Sequence, residues 1–223
     1  MTILEIKGIS KSFDESEIIR DTSLSVSEGD TVAFMSPSGS GKSTMLSMAG
    51  LLLTPDSGEI LLEDGTDVAT LDDEALSRLR QRLFGFVFQS TQLVGSLRAV
   101  ENVAAPASFA GKLPFDPQER AAELLGQFGL SERMYHYPHQ LSVGQKRRVA
   151  LARAMLLSPK IIIADEPTND LDGESAASVT DALFAYAANG NALLYATHDA
   201  QLAARAKTLM TMQDKSFKET VSS

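Results

Sequence analysis

The sequence predicts an α/β fold with a mostly parallel sheet and a helical insertion, and three observations predict it. Short apolar runs alternate with helical stretches over most of the chain, the pattern of a parallel sheet with both faces covered. One such run, Thr31–Met35, passes through a Gly/Ser/Pro loop into a helical stretch from Lys42. Residues 90–157 are mostly helical by pattern and separate two groups of strands.

In chain order, residues 3–6 and 23–26 alternate apolar and polar side chains, as half-buried strands do. After the strand–loop–helix unit, Pro55, Asp56, Ser57 and Gly58 form a turn before a strand over 59–62. Residues 72–82 read as a charged helix, with Gly85 breaking it before a strand over 86–88. Pro106, Pro114, Pro117 and Pro138 interrupt the helical region. A buried strand over 161–163, a helix over Gly173–Ala188 and a buried strand over 192–196 complete the alternation.

Composition narrows the function. The net charge of −9 opposes nonspecific nucleic-acid binding and adsorption to anionic lipid. With Cys 0 there is neither a disulfide nor a thiolate metal site, which suits a reducing cytoplasm. The amino terminus shows no basic stretch followed by an apolar core, so no secretion signal is expected. The apolar stretch from Met45 to Leu53 is far shorter than the roughly 20 residues that cross a bilayer, and reads as core. A membrane task would therefore need a partner.

The strongest local signal is Ser36, Pro37, Ser38, Gly39, Ser40, Gly41, Lys42, Ser43 and Thr44 in succession. Gly39 and Gly41 let the backbone curl so that N–H groups point at phosphate oxygens. Lys42 supplies positive charge toward β- and γ-phosphates, Ser43 a hydroxyl for Mg²⁺, and the following helix its positive end. A Gly/Ser turn that merely caps a helix is the bland alternative, and the flanking strand and helix oppose it. The second signal is an apolar run ending in Asp165 and Glu166, which puts two carboxylates at the carboxyl edge of a parallel sheet. Asp165 can hold Mg²⁺ through water, and Glu166 can orient or deprotonate an attacking water.

Downstream of the loop stand Phe88-Gln89, Leu141-Ser-Val-Gly-Gln145, Asp165-Glu166, Leu171-Asp172 and Thr197-His198-Asp199. Their order and spacing resemble the ATPase domain of ABC proteins over nearly the whole chain. The resemblance implies one ABC ATPase domain over 1–223 with ATP and Mg²⁺ as ligands. Its RecA-like phosphate-loop core, over 1–89 and 158–223, would carry a mostly parallel sheet and an N-terminal antiparallel β-subdomain. A helical subdomain over 90–157 would hold the signature. The family pattern makes Phe13 the aromatic that stacks on adenine and Gln89 the contact to Mg²⁺ and attacking water that senses the membrane partner. It makes His198 the γ-phosphate switch, and places Asp172 in the loop crossing the dimer interface. Ser142, Gly144 and Gln145, with Val143 between them, match the signature, which contacts the γ-phosphate held by a second copy. Alone, Phe13 would read as a core aromatic, and Gln89 and His198 as ordinary loop residues. His136 and His139 flank Pro138 and read as a loop rather than a metal pair; Lys146, Arg147 and Arg148 read as a run facing solvent or the partner nucleotide.

Three positions depart from the family pattern: Ser36 for the first loop glycine, Val143 for a signature glycine, and Asp170 where small or neutral residues are common. A positive φ at Ser36 or Val143 would cost roughly 1 kcal/mol; a negative φ would leave only a steric change. Gly85-Phe-Val-Phe-Gln89, Gln92-Leu-Val, Val100-Glu-Asn-Val103 and Tyr137-Pro-His-Gln-Leu-Ser142 are similar to one branch of the family. That branch contains ATPases of macrolide exporters, lipoprotein-release machines, antimicrobial-peptide pumps and haem exporters. It implies a homodimer beneath two permease copies at the inner face of the cell membrane, with export driven by ATP-dependent closure. A cell-division regulator that moves a periplasmic partner is the alternative within the same build. A translation or DNA-repair ATPase would need tandem domains or a long coiled coil, and a regulatory subunit with little turnover would rest on Ser36 and Val143.

Overall fold

The computed structural model describes residues 1–220. Strands β1 (Thr2–Phe13) and β2 (Ser16–Ser27) form a long hairpin, followed by β3 (Thr31–Met35) and helix α1 (Lys42–Ala49). Next come β4 (Ser57–Leu62), α2 (Asp73–Leu83) and β5 (Phe84–Val87). Helices α3 (Ala99–Ala104), α4 (Pro117–Gln127) and α5 (Val143–Met155) precede β6 (Ile161–Asp165), α6 (Gly173–Ala188) and β7 (Ala192–Thr197). The short α7 (Ala200–Ala203), β8 (Thr208–Gln213) and β9 (Ser216–Glu219) follow.

The strands form two sheets, an antiparallel one in the order β2-β1-β4 and a six-stranded one in the order β5-β6-β7-β3-β8-β9. All pairings of the larger sheet are parallel except β8 with β9. Alternation along each central strand sorts side chains to opposite faces. Val32, Phe34, Ile161, Ile163 and Leu194 join α1, α2 and the antiparallel sheet in one apolar core. Ala33, Ile162, Ala164, Leu193 and Tyr195 join α3 to α6 in a second. The two sheets meet along β2 and β9, where Phe217 N donates to Thr22 Oγ1 at 3.0 Å and Arg20 N to Lys215 O at 2.7 Å.

Several sequence expectations change here. Pro117 begins α4 instead of breaking a helix, its missing N–H falling where no intrahelical partner exists, with Asp116 as N-cap. The apolar Met45–Leu53 stretch is core only in part, because Leu52 is 48% exposed after α1 ends. Gly85 lies inside β5 and interrupts nothing: α2 ends where the chain enters the sheet at Phe84. Its glycine serves close approach, since a Cβ would collide with the Ala154 carbonyl of α5 and stand 2.9 Å from Pro159 Cγ. Backbone cannot yield as a flexible side chain does, so Gly85→Ala is expected to destabilise the fold by about 3 kcal/mol. Chemical denaturation of the two proteins measures this, and a loss below about 0.5 kcal/mol would show that α5 moves aside freely.

Candidate active site

Four of the segments singled out for chemistry leave the carboxyl edge of the larger sheet. The Ser36 to Thr44 loop follows β3, Gln89 follows β5, Asp165 and Glu166 end β6, and His198 follows β7. These strands are neighbours, so loops far apart in sequence converge on one edge. They enclose a cavity of about 440 Å³. Ser38, Gly39, Gly41, Lys42, Ser43 and Thr44 line it together with Gln89, Asp165, Glu166 and His198. Phe13 and Ile18, from the β1–β2 hairpin, line it too. Phe13 is 48% exposed, so it is no core aromatic.

The loop's shape comes from residues outside the cavity lining as well as from its two glycines. Ser40 Oγ donates to Pro37 O at 2.6 Å and also contacts Ser36 Oγ. Gly39 and Gly41 have φ of 78° and 101°, a region that L side chains avoid. At Gly41 a Cβ would also stand 2.9 Å from Ile18 Cγ2 and Ile19 Cδ1. Gly41 has no side chain to cap α1, which leaves the first N–H groups of that helix open for an anion.

Lys42 is only 7% exposed and its ammonium sits within the loop. It donates to Ser36 O at 2.7 Å and Pro37 O at 3.3 Å, and lies 3.7 Å from Glu166 Oε1. The other Glu166 oxygen is 2.9 Å from His198 Nδ1. Glu166 itself holds a φ of 46°, an uncommon backbone state for a long side chain. Two bonds maintain it: its N–H donates to Ala196 O at 3.0 Å, and its carbonyl accepts from Asn169 N at 3.2 Å. The carboxylate is thereby turned into the cavity, between a cation and an imidazole.

Ser43 Oγ donates to Asp165 Oδ2 at 2.6 Å. A hydroxyl and a carboxylate in contact at the cavity wall are a hard oxygen donor set suited to Mg²⁺. Among the described residues no cluster of three or more His, Cys, Asp or Glu could cage a metal. The geometry therefore fits an ion that takes most of its oxygens from phosphate and water, with Ser43 and Asp165 as protein contacts.

The structure leaves a second set of candidates away from this cavity. Ser142 caps α5, accepting from Gln145 N at 3.2 Å while its own N–H donates to Gln145 Oε1 at 2.9 Å. Gly144 packs against Ser175 of α6, where a Cβ would collide with the Ser175 side chain. Asp172 caps α6, its carboxylate accepting from Ser175 N at 2.8 Å and Ser175 Oγ at 3.0 Å. Ser175 holds the Asp172 carboxyl below the usual carboxylate range, through its backbone N–H first and its hydroxyl second.

The departures resolve as steric ones. Neither Ser36 nor Val143 is among the residues with positive φ. Ser36 is buried under the loop, and Val143 begins α5 with 53% of its surface exposed. Asp170 does take a left-handed φ of 61°, which Asp tolerates better than most residues. Its carboxylate accepts from Asn169 Nδ2 at 2.8 Å.

Sequence reasoning missed three features. Asn169 and Ile18 line the cavity without belonging to a recognised motif. Arg147, expected in an exposed charged run, is buried and donates to Phe88 O at 2.6 Å and Gln89 O at 2.8 Å. A groove of about 350 Å³ also flanks the Gln89 segment, lined by Leu52, Phe84, Phe86, Phe88 and Gln92 among others. An apolar chain of Phe84, Phe86 and Phe88 rings, on alternate positions of β5 and the residue just after it, was the available signal.

A phosphate-binding loop after the first strand of a parallel sheet, facing an Asp-Glu pair on a neighbouring strand, defines a phosphate-loop nucleotide-binding protein. The comparisons with known proteins narrow that class. The chain belongs to the ABC transporter family, whose model matches residues 19–169. It is 40% identical over 216 residues to the macrolide export ATP-binding/permease protein MacB of Wolinella succinogenes, covering 95% of this chain and 33% of that protein. It is 42% identical over 217 residues to the pyoverdine export ATP-binding/permease protein PvdT of Pseudomonas fluorescens, with the same coverage of 95% and 33%. The chain thus spans about a third of the length of the curated relatives it matches. Among solved structures, the dimeric ATP-binding cassette MJ0796 in a post-hydrolysis state with ADP and Pi superposes with a TM-score of 0.88. It shares 33% identity, and 98% of each chain is covered. The fold is that of an ABC cassette, with the antiparallel β-sheet, parallel core and helical segment between β5 and β6 that the resemblance implies. Among the described residues no helix is long and apolar enough to cross a membrane.

Proposed function

We propose that the chain hydrolyses ATP to ADP and phosphate as one of two copies, and that closure of the pair powers export through a permease. The observation that carries this reading is the division of the site. Lys42, Ser43, Asp165, Glu166, Gln89 and His198 surround one cavity, whereas the Ser142–Gln145 helix start lies outside its lining. A helix start with free N–H groups suits an anion brought by another molecule, and the solved neighbour is dimeric.

In this reading Phe13 stacks on the base, the loop N–H groups and Lys42 bind the phosphates, and Glu166 takes the proton of the attacking water. His198 holds the Glu166 carboxylate from Nδ1 and faces the terminal phosphate. A magnesium ion, when bound, supplies positive charge to the phosphate oxygens and would be held by Ser43 and Asp165, with Gln89 beside it. Ser142, Val143, Gly144, Gln145 and Asp172 act on the other copy's site. Water exclusion and charge stabilisation then arrive together on closure, which ties hydrolysis to association.

The relatives' names join ATP-binding to permease and concern macrolide and pyoverdine export. They support extrusion of a small molecule by a permease part, with this chain held at the inner face of the membrane through that part. The groove beside Phe88 and Gln92 is where the permease would press on the Gln89 segment, because it is apolar and borders a loop that reaches the cavity. Turnover per chain should rise with chain concentration, and Mg-ATP but not Mg-ADP should convert monomer to dimer in light scattering. Turnover independent of concentration, in a chain that stays monomeric with ATP, would sink the composite site.

A further inference from the structure

Arg147 is 2% exposed, yet no carboxylate pairs with it directly among the described residues. Its two terminal nitrogens donate to consecutive carbonyls, Phe88 O at 2.6 Å and Gln89 O at 2.8 Å, and its Nε is buried without a partner. Burial pushes the guanidinium below its ordinary value, and the negative charge of Asp170 acts in the opposite sense. A buried charge satisfied only by two carbonyls is a poor stabiliser of a fold, since apolar side chains of similar volume serve as well or better. Such an arrangement is better suited to fixing a single backbone geometry, here that of the residue whose side chain enters the cavity.

The placement of Arg147 joins two segments. It lies on α5, little more than one turn beyond the capping Ser142. Its fork grips the Gln89 loop, and Arg153 on the same helix grips that loop farther on, donating to Thr91 O and Gln92 O at 2.9 Å each.

We propose that Arg147 is a positioning residue: it couples the Gln89 loop to α5, so that movement of the helix start sets where Gln89 stands. The catalytic consequence rests on the reading of the site as an ATPase; the coupling does not.

The test uses the full chain with Arg147→Met and Arg147→Lys. Hydrogen–deuterium exchange without nucleotide should show the amides of residues 88–92 exchanging about tenfold faster in Arg147→Met, with β6 and β7 unchanged. Lysine keeps the charge but cannot bridge two carbonyls, so Arg147→Lys should recover less than half of the lost protection. In turnover assays Arg147→Met should lower kcat about tenfold with KM for ATP within twofold, as expected when a transition-state contact is misplaced. Unchanged protection of 88–92 in Arg147→Met would overturn the proposal. Should Arg147→Met fail to fold, Arg147→Lys decides by the same readout, with wild-type protection as the overturning result. A wild-type chain that does not hydrolyse ATP would defeat the ATPase reading while leaving the exchange result to judge the coupling.

Discussion

Replacing Glu166 with glutamine is expected to lower ATP turnover at saturating ATP by about 100- to 10,000-fold, the usual worth of a general base. Glutamine has the same shape, so the bonds that hold φ at 46°, Glu166 N to Ala196 O and Asn169 N to Glu166 O, are retained. What disappears is the proton acceptor facing His198 Nδ1 at 2.9 Å and the negative charge 3.7 Å from Lys42. Removing a carboxylate from the phosphate end of the cavity also removes repulsion against ATP, so nucleotide affinity should hold or improve. Phosphate release measured beside ATP binding separates the two effects. Turnover within about threefold of wild type would show that Glu166 is not the base, since a lost base costs far more. A parallel loss of ATP binding would indicate a disturbed site.

Lys42→Met is expected to weaken ATP binding by roughly 30- to 150-fold, corresponding to about 2–3 kcal/mol for a charge-assisted contact to phosphate. The ammonium is already engaged with Ser36 O, Pro37 O and Glu166, so ATP exchanges those contacts for phosphate oxygens. That exchange holds the expected loss to a few kcal/mol, well below the bare Coulomb energy of two opposite charges. Methionine matches the length and flexibility of the buried stem, so folding should survive, as circular dichroism can verify. Equilibrium titration with a fluorescent ATP analogue reads the affinity. A change below about threefold would mean that the loop N–H groups and the α1 start carry the phosphates without the lysine.

Where local pattern dictates local structure, the sequence was legible. The Gly173–Ala188 helix is bounded as expected because Asp172 caps its first turn and Gly190 lies just beyond its end. Thr31–Met35 is a strand for the simple reason that five residues with covered faces leave no polar side to expose. The nine-residue loop was legible because its glycines and lysine are consecutive in the chain, and most of them line the cavity. Other elements were legible only in part. The residues 3–6 and 23–26 are the recognisable pieces of two 12-residue strands, whose remaining length is broken by register shifts that scramble alternation. Strands β8 and β9 carried too little pattern, and they exist through pairing with β3 and with each other.

By itself the sequence determined the class of fold, the phosphate loop, the carboxylate pair and the motifs that place the chain in its family. These depend on short-range spacing and on the periods of strand and helix. Only the tertiary structure decided that Gly85 is a point of close approach to α5, that Arg147 is buried against the Gln89 loop, and that Phe13 and Asn169 face the same cavity as Lys42. It also decided that Ser36 and Val143 avoid positive φ whereas Glu166 and Asp170 adopt it. The contacts of Gly85, Arg147, Phe13 and Asn169 are relations between segments far apart in the chain, set by how strands and helices pack, and no window along the sequence contains both partners.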